Sequence, residues 1–189
     1  MSEAFADEPI SVEEYLRLER TSEIRHEYVG GYLYAMTGAT WRHNKIFNNF
    51  SRRIIDAADD QDCLVATSDV KLQVSERVIY YPDLLVSYDP KDRGAYISRR
   101  PCLVVEVLSP STTRTDRREK FLAYDRVPTL RTYLIVHQNE QLIERNWREN
   151  PQDDWQTELI REGLVPLPCP DVELTMEQIY KSLPPAEDE

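Results

Sequence analysis

The chain has 189 residues, 41 % of them hydrophobic, and a net charge of −11. It is long enough for one packed domain over residues 1–189 and too apolar for a disordered chain. Its apolar runs fall far short of the ~20 residues that cross a bilayer, and the acidic start MSEAFADEPI has no apolar stretch, so neither a membrane span nor a secretory signal is expected.

Ser11-Val12-Glu13-Glu14 has the pattern of a capping box, with Ile10 and Tyr15 placed as a hydrophobic staple, so a short helix is expected over 12–20. In HEYVGGYLYAM, Gly30-Gly31 separates two alternating runs and marks a two-residue hairpin. Thr40 can cap the next helix, in which Ile46, Phe50, Ile54 and Ala58 recur at helical spacing over 41–58. The period then shortens. Residues 63–67, 70–74, 77–86 and 101–108 are rich in Val, Leu, Ile and Tyr and read as strands. A second helix is expected over about 115–126, entered through Pro110 and the Ser/Thr run 111–113, and TYLIVH, residues 132–137, reads as a buried strand. Residues 140–148 and 155–160 alternate like an exposed hairpin around ENPQDD. Its Trp147 and Trp155 either cover the sheet or meet a second copy of the chain. Thr175 to Gln178 is another capping-box pattern, and residues 184–189 are expected to fray. A helix, three or four strands, a helix and a strand describe an α/β domain on a mixed sheet.

Cys63, Cys102 and Cys169 are odd in number and widely spaced. They form neither a disulfide framework nor a zinc pattern, so two of them read as buried, reduced thiols and the location as cytoplasmic.

Two acids stand where a strand interior rarely holds them, since an unpaired carboxylate out of water costs several kcal/mol. Asp83 lies in YYPDLLV and Glu106 in LVVEVL. On neighbouring strands the two carboxylates can converge, repel and raise each other's pKa. A divalent cation removes that conflict, and two hard oxygen ligands with water suit Mg²⁺ or Mn²⁺. Lys120 lies 14 residues beyond Glu106, on the following helix, where an ammonium can orient or help deprotonate a water and steady charge on a phosphate. Blander readings exist for each. Asp83 also suits a turn after Pro82, Glu106 a pair with Arg99 or Arg100, and Lys120 a surface pair with Asp116.

The acidity is confined to the ends. Residues 1–30 hold 8 acids against 3 bases and residues 150–189 hold 10 against 2, whereas residues 99–131 hold 8 bases against 4 acids. The segment carrying the odd acids is therefore compatible with a polyanionic substrate.

YYPD, followed by VVEVLSPST and DRREKFLAY, resembles the PD-(D/E)XK nuclease superfamily. It is most similar to the Uma-type branch, small bacterial proteins described as restriction-endonuclease-like. The resemblance covers nearly the whole chain, including HEYVGGYLYAMTGATWRHNKIFNN, SDVKLQV and VPTLRTYLIV. It implies a restriction-endonuclease-like core of helix, three strands, helix and strand at about residues 40–137, with an N-terminal helix-hairpin and a C-terminal hairpin added. It also implies a Mg²⁺- or Mn²⁺-dependent endonuclease acting on DNA, often as a homodimer, with Asp83 and Glu106 as metal ligands. The lysine of the motif is absent, because Leu108 occupies its place; Lys120 matches a lysine that has moved to the next helix. Glu27 and His43 lie in stretches that resemble the branch and are accessory candidates. Ser109 and Ser111 are candidates for shaping the turn after Glu106. Thr132 stands where relatives often carry Glu. The vacant lysine position also fits a nuclease scaffold kept for binding or assembly, and a hydrolase of another phosphate ester is a third possibility.

Overall fold

The computed structural model describes residues 8–36, 38–92, 94, 96–108 and 114–185, and of residues 114–116 the backbone alone. The turn expected at 109–113, with Ser109 and Ser111, the Asp116 side chain and the tail beyond residue 185 lie outside the described residues.

Helix α1 (Val12–Glu19) starts under Ser11, whose hydroxyl accepts the Glu14 amide at 3.2 Å. Only half of the expected box forms, because the Glu14 carboxylate turns to Arg17. Gly30 and Gly31, at φ 66° and 103°, turn β1 (His26–Val29) into β2 (Tyr32–Ala35). Both values lie where a side chain is disfavoured, which is why Gly-Gly suits the turn. In α2 (Trp41–Asp59) the Thr40 hydroxyl caps the His43 amide at 3.0 Å. Then come β3 (Leu64–Thr67), β4 (Lys71–Ser75), β5 (Val78–Tyr80), β6 (Leu84–Ser87), β7 (Ile97–Ser98), β8 (Leu103–Leu108), α3 (Arg114–Tyr124), β9 (Thr132–His137), β10 (Ile143–Trp147), β11 (Gln156–Ile160), β12 (Leu164–Pro168), β13 (Asp171–Thr175) and α4 (Met176–Ile179).

The strands form a five-stranded sheet in the order β2-β1-β5-β4-β7, a six-stranded sheet in the order β11-β10-β9-β8-β6-β3, and the β12-β13 pair. The α/β architecture and the mixed sheet are as expected: β8 runs antiparallel to β6 and parallel to β9. Three readings need correction. Residues 77–86 are not one strand but two, in different sheets. The break falls at Tyr81-Pro82-Asp83, where Pro82 has no N–H for a ladder. The late hairpin is not simply exposed, since β10 is mostly buried against β9. Trp147 and Trp155 are half-buried; the Trp155 indole donates to Asp125 at 2.7 Å and its ring packs on Phe121. Cys102 and Cys169 are not reduced thiols but a disulfide with Cα atoms 6.0 Å apart, an ordinary span for such a bond. Cys63 is free.

Alternation along β8 sorts its side chains between two cores. Leu103, Val105 and Val107 face α2, where Ile46, Phe50 and Ile54 are fully buried. Burial on that scale contributes about 2 kcal/mol per side chain. Val104 joins Leu85, Tyr124, Tyr133 and Ile135 on the other side, where α3 packs. Glu106 has the parity of Val104, so its carboxylate is directed to α3. No helix among the described residues is long and apolar enough to cross a membrane.

Candidate active site

The site is assembled where the two sheets meet. Leu84 lies opposite Val105 and Leu85 opposite Val104. The ladder ends at Leu84, and the residue before it, Asp83, lies beside Glu106. Asp83 Oδ2 accepts the Val107 amide at 2.7 Å, so the aspartate is fastened to the residue after Glu106. His43, in the first turn of α2, places Nε2 3.3 Å from the same oxygen. Burial favours neutral His43, but Asp83 and then Glu106 outweigh it and hold the imidazole pKa above its ordinary value.

Glu106 Oε1 accepts the Tyr124 hydroxyl at 2.8 Å and Lys120 Nζ at 3.2 Å. Lys120 and Tyr124 are four residues apart on α3 and share the face that meets the sheet. Glu27 comes from β1 in the other sheet, and its Oε1 lies 2.9 Å from Lys120 Nζ. The register that pairs Tyr28 with Ile79 sets Glu27 opposite Tyr80, and Lys120 Nζ sits 5.3 Å from the Tyr80 ring centre. The ammonium is thus bracketed by two carboxylates and an aromatic face.

This environment shifts the titrations. Burial, with the charges of Asp83 and Glu27, pushes the Glu106 carboxyl up to about 7 against the pull of Lys120 and Tyr124. Burial opposes the Lys120 charge, yet Glu106 and Glu27 hold its pKa well above the ordinary lysine value. Lys120 therefore stays an ammonium at neutral pH, which suits holding charge in place and removes it as a proton acceptor.

The five predicted residues fall into two groups: His43 with Asp83, and Glu27 with Lys120 and Glu106. Val107 and the strand register join the groups. Lys120 is not on a solvated face, its side chain being 13 % exposed, and Glu106 pairs with it rather than with Arg99 or Arg100. Arg100 is taken by Asp89. Sequence reasoning missed Tyr124 and Tyr80; both sit in apolar runs that read simply as core, although Tyr124 is one turn beyond Lys120. It also missed Glu19, which is buried on α1 and accepts the His26 amide at 3.0 Å and the Tyr81 hydroxyl at 2.9 Å. Glu19 thus ties the strand that carries Glu27 to the turn that carries Asp83. Thr132 is buried at the start of β9, away from these groups, and pairs with Leu103.

Among the described residues, no three His, Cys, Asp or Glu side chains close on one point as a ready metal cage. Mg²⁺ needs no such cage, since it is commonly held by one or two carboxylates and keeps several waters. Asp83 Oδ1 and Glu106 Oε2 accept no hydrogen bond among the described residues, and two acids set against each other with one raised pKa form a donor set that gains from a cation. The residues fit the group.

Residues 12–177 match the Uma2 family, described as "Putative restriction endonuclease". The chain belongs to the Uma2 family. Two relatives come from Synechocystis sp.. The uncharacterized protein slr1290 is 39 % identical over 148 residues, 77 % of each chain. The uncharacterized protein sll1609 is 30 % identical over 158 residues, 82 % of this chain and 89 % of the relative. Among solved structures, the crystal structure of a protein described as a putative nuclease belonging to DUF820, from Anabaena variabilis, superposes with a TM-score of 0.73. It is 19 % identical and covers 91 % of this chain and 98 % of its own, so it carries the fold. This Uma2 chain therefore has a restriction-endonuclease-like architecture in which Asp83, just before β6, lies beside Glu106 of β8.

Proposed function

We propose that this chain is a metal-dependent endonuclease that hydrolyses DNA phosphodiester bonds. The observation that carries the reading is the meeting of Asp83, Glu106, Lys120 and Glu27 where two sheets join, in a family of restriction-endonuclease type. Structural ion pairs seldom bury two carboxylates around one ammonium, because each desolvated charge costs several kcal/mol. Functional sites accept such costs.

Asp83 and Glu106 would hold Mg²⁺ or Mn²⁺. Such an ion supplies polarisation of a phosphoryl oxygen and a more acidic bound water. The chain's own residues supply the rest. Lys120 keeps its proton and faces the carboxylates, where it offsets charge that builds on the phosphate. Glu27 fixes that ammonium from the opposite sheet. Tyr124 donates to Glu106 Oε1 and leaves Oε2 for the cation. Glu106, titrating near neutrality, holds a proton at low pH and gives it up as the site charges. His43 is aligned by Asp83 to contact a phosphate or a water. The proposal includes a single domain and a homodimer.

Purified protein with Mg²⁺ or Mn²⁺ should nick supercoiled plasmid, and Asp83→Ala should abolish the nicking. Nicking that survives Asp83→Ala points to a contaminant and sinks the reading. A second reading, a nuclease scaffold that only binds, is favoured by Leu108 at the usual lysine position and by the saturation of Glu106 Oε1. Calorimetry with Mn²⁺ separates the two: binding lost in Glu106→Ala supports the enzyme, and no binding at millimolar metal supports the module. A panel of nucleotides and DNA tests other phosphate esters.

A further inference from the structure

The outward face of α2 is built against helix stability. Residues 41–55 hold Arg42, Lys45, Arg52 and Arg53 and no acid, while Asp56, Asp59 and Asp60 follow at the other end. A helix dipole favours the reverse, acids first and bases last, by some tenths of a kcal/mol per charge. Stability does not explain this order in a chain of net charge −11. Trp41, Lys45, Asn48 and Arg52 lie at i, i+4, i+7 and i+11, a single stripe about 16 Å long. The stripe is opposite Ile46, Phe50 and Ile54, which face the core. Among the described residues Lys45 and Arg52 make no ion pair, whereas Arg42 is tied to the Gln138 and Pro184 carbonyls. Trp41 is 83 % exposed, the most exposed large apolar side chain among the described residues. It opens the helix that carries His43, and the two side chains lie on opposite sides of that helix.

We infer that this face is a track for single-stranded DNA, with Trp41 stacking on an unpaired base and Lys45 and Arg52 contacting phosphates of the same strand. The inference rests on the nuclease reading for its substrate and extends it to strand form. Aromatic stacking with a basic line is how proteins hold single strands without reading their sequence. A paired base inside a duplex does not offer its face to Trp41. Asp56 and Asp59 end the track after its third turn.

The test is anisotropy of a labelled single strand and of the blunt duplex of the same sequence, titrated with full-length protein in chelator so that nothing is cut. The single strand should bind more tightly. Trp41→Ala should weaken it about five- to hundredfold while Trp41→Phe stays close to wild type. The double variant Lys45→Ala/Arg52→Ala should make the logarithmic salt dependence shallower by about 1.4. Circular dichroism and light scattering accompany each variant. Equal affinity for duplex overturns the inference, as does unchanged single-strand affinity in Trp41→Ala. So does a loss of dimer in Trp41→Ala with DNA binding intact, which would make this face a contact between copies. Plasmid nicking is scored separately. A wild type that does not nick but binds single strand through Trp41 keeps the track and removes the catalytic reading.

Discussion

The Val107 amide donates to Asp83 Oδ2 at 2.7 Å, across the strand pair that carries Glu106 on the adjoining residue. Asp83 therefore has a fastening role besides any role toward a metal, and two substitutions separate them. Asp83→Ala leaves the Val107 amide without its acceptor and should cost about 1–2 kcal/mol of stability. Asp83→Asn keeps an oxygen for that amide and removes the charge. We expect Asn to melt within a degree or two of wild type yet lose nicking and Mn²⁺ binding as completely as Ala does. Thermal melts beside calorimetry check this. Metal binding retained in Asp83→Asn would show that the carboxylate charge is not what a cation uses.

Glu106 gives the metal-free protein a pH dependence of defined sign. Its carboxyl titrates at about 7 in the fold, raised from the ordinary 4.5 chiefly by burial. Between those values the folded chain holds more protons than the unfolded one, so stability falls as pH rises through the window. The fall is at most about 3 kcal/mol for a shift of this size. His43, raised by Asp83, contributes the same sign, because its stabilisation is present below pH 6.5 and lost above its folded value. Melting in chelator should decline from about pH 5 to about pH 8, and Glu106→Gln should flatten the decline. Tyr124→Phe removes a donor that favours the ionised form and should move the decline to higher pH. An identical slope in Glu106→Gln would remove this residue as the cause.

Much of this was readable from local chemistry. Gly30-Gly31 announced a hairpin because few residues accept its backbone angles, and Thr40 with Ile46, Phe50 and Ile54 announced α2 through cap and period. Glu106 stood out because an acid inside Val-Val-x-Val conflicts with burial. What stayed hidden depended on three dimensions. The break at Tyr81-Pro82-Asp83 lies inside a run rich in Val, Ile, Leu and Tyr; a turn after Pro82 is one reading of it, and the separation of the two sheets decides for that reading. Glu27 and Lys120 belong to different layers, so no spacing joins them. Tyr124 reads as core because its ring is core; its hydroxyl alone reaches Glu106. The β12-β13 pair carries Pro166 and Pro168, with Pro170 in its turn, and a proline lacks the N–H that a ladder uses.

Lys120 compensates two carboxylates, and its removal should expose that debt. Lys120→Met leaves Glu27 and Glu106 facing each other in a largely buried site. Removing one partner of a buried pair commonly costs about 3–5 kcal/mol. A divalent cation can take over part of the missing charge. Mg²⁺ should therefore raise the melting temperature of Lys120→Met more than that of wild type, while nicking stays lost. If Mg²⁺ stabilises both equally, the ion does not bind beside Glu106.

The Cys102–Cys169 bond closes a loop across 67 residues, which by chain entropy is worth about 4 kcal/mol. It joins the residue before β8 to the turn between β12 and β13, so it anchors the C-terminal pair to the strand bearing Glu106. Reductant or Cys169→Ser should lower the denaturant midpoint by a few kcal/mol equivalent. The Glu106 titration should be unaffected, because Lys120 and Tyr124 come from α3 and are not held by the bond. A non-reducing peptide map should join the two cysteine peptides and leave Cys63 as the one reactive thiol. Three reactive thiols in the unreduced, unfolded chain would show that the bond does not form in solution, and the stability difference with reductant should then vanish.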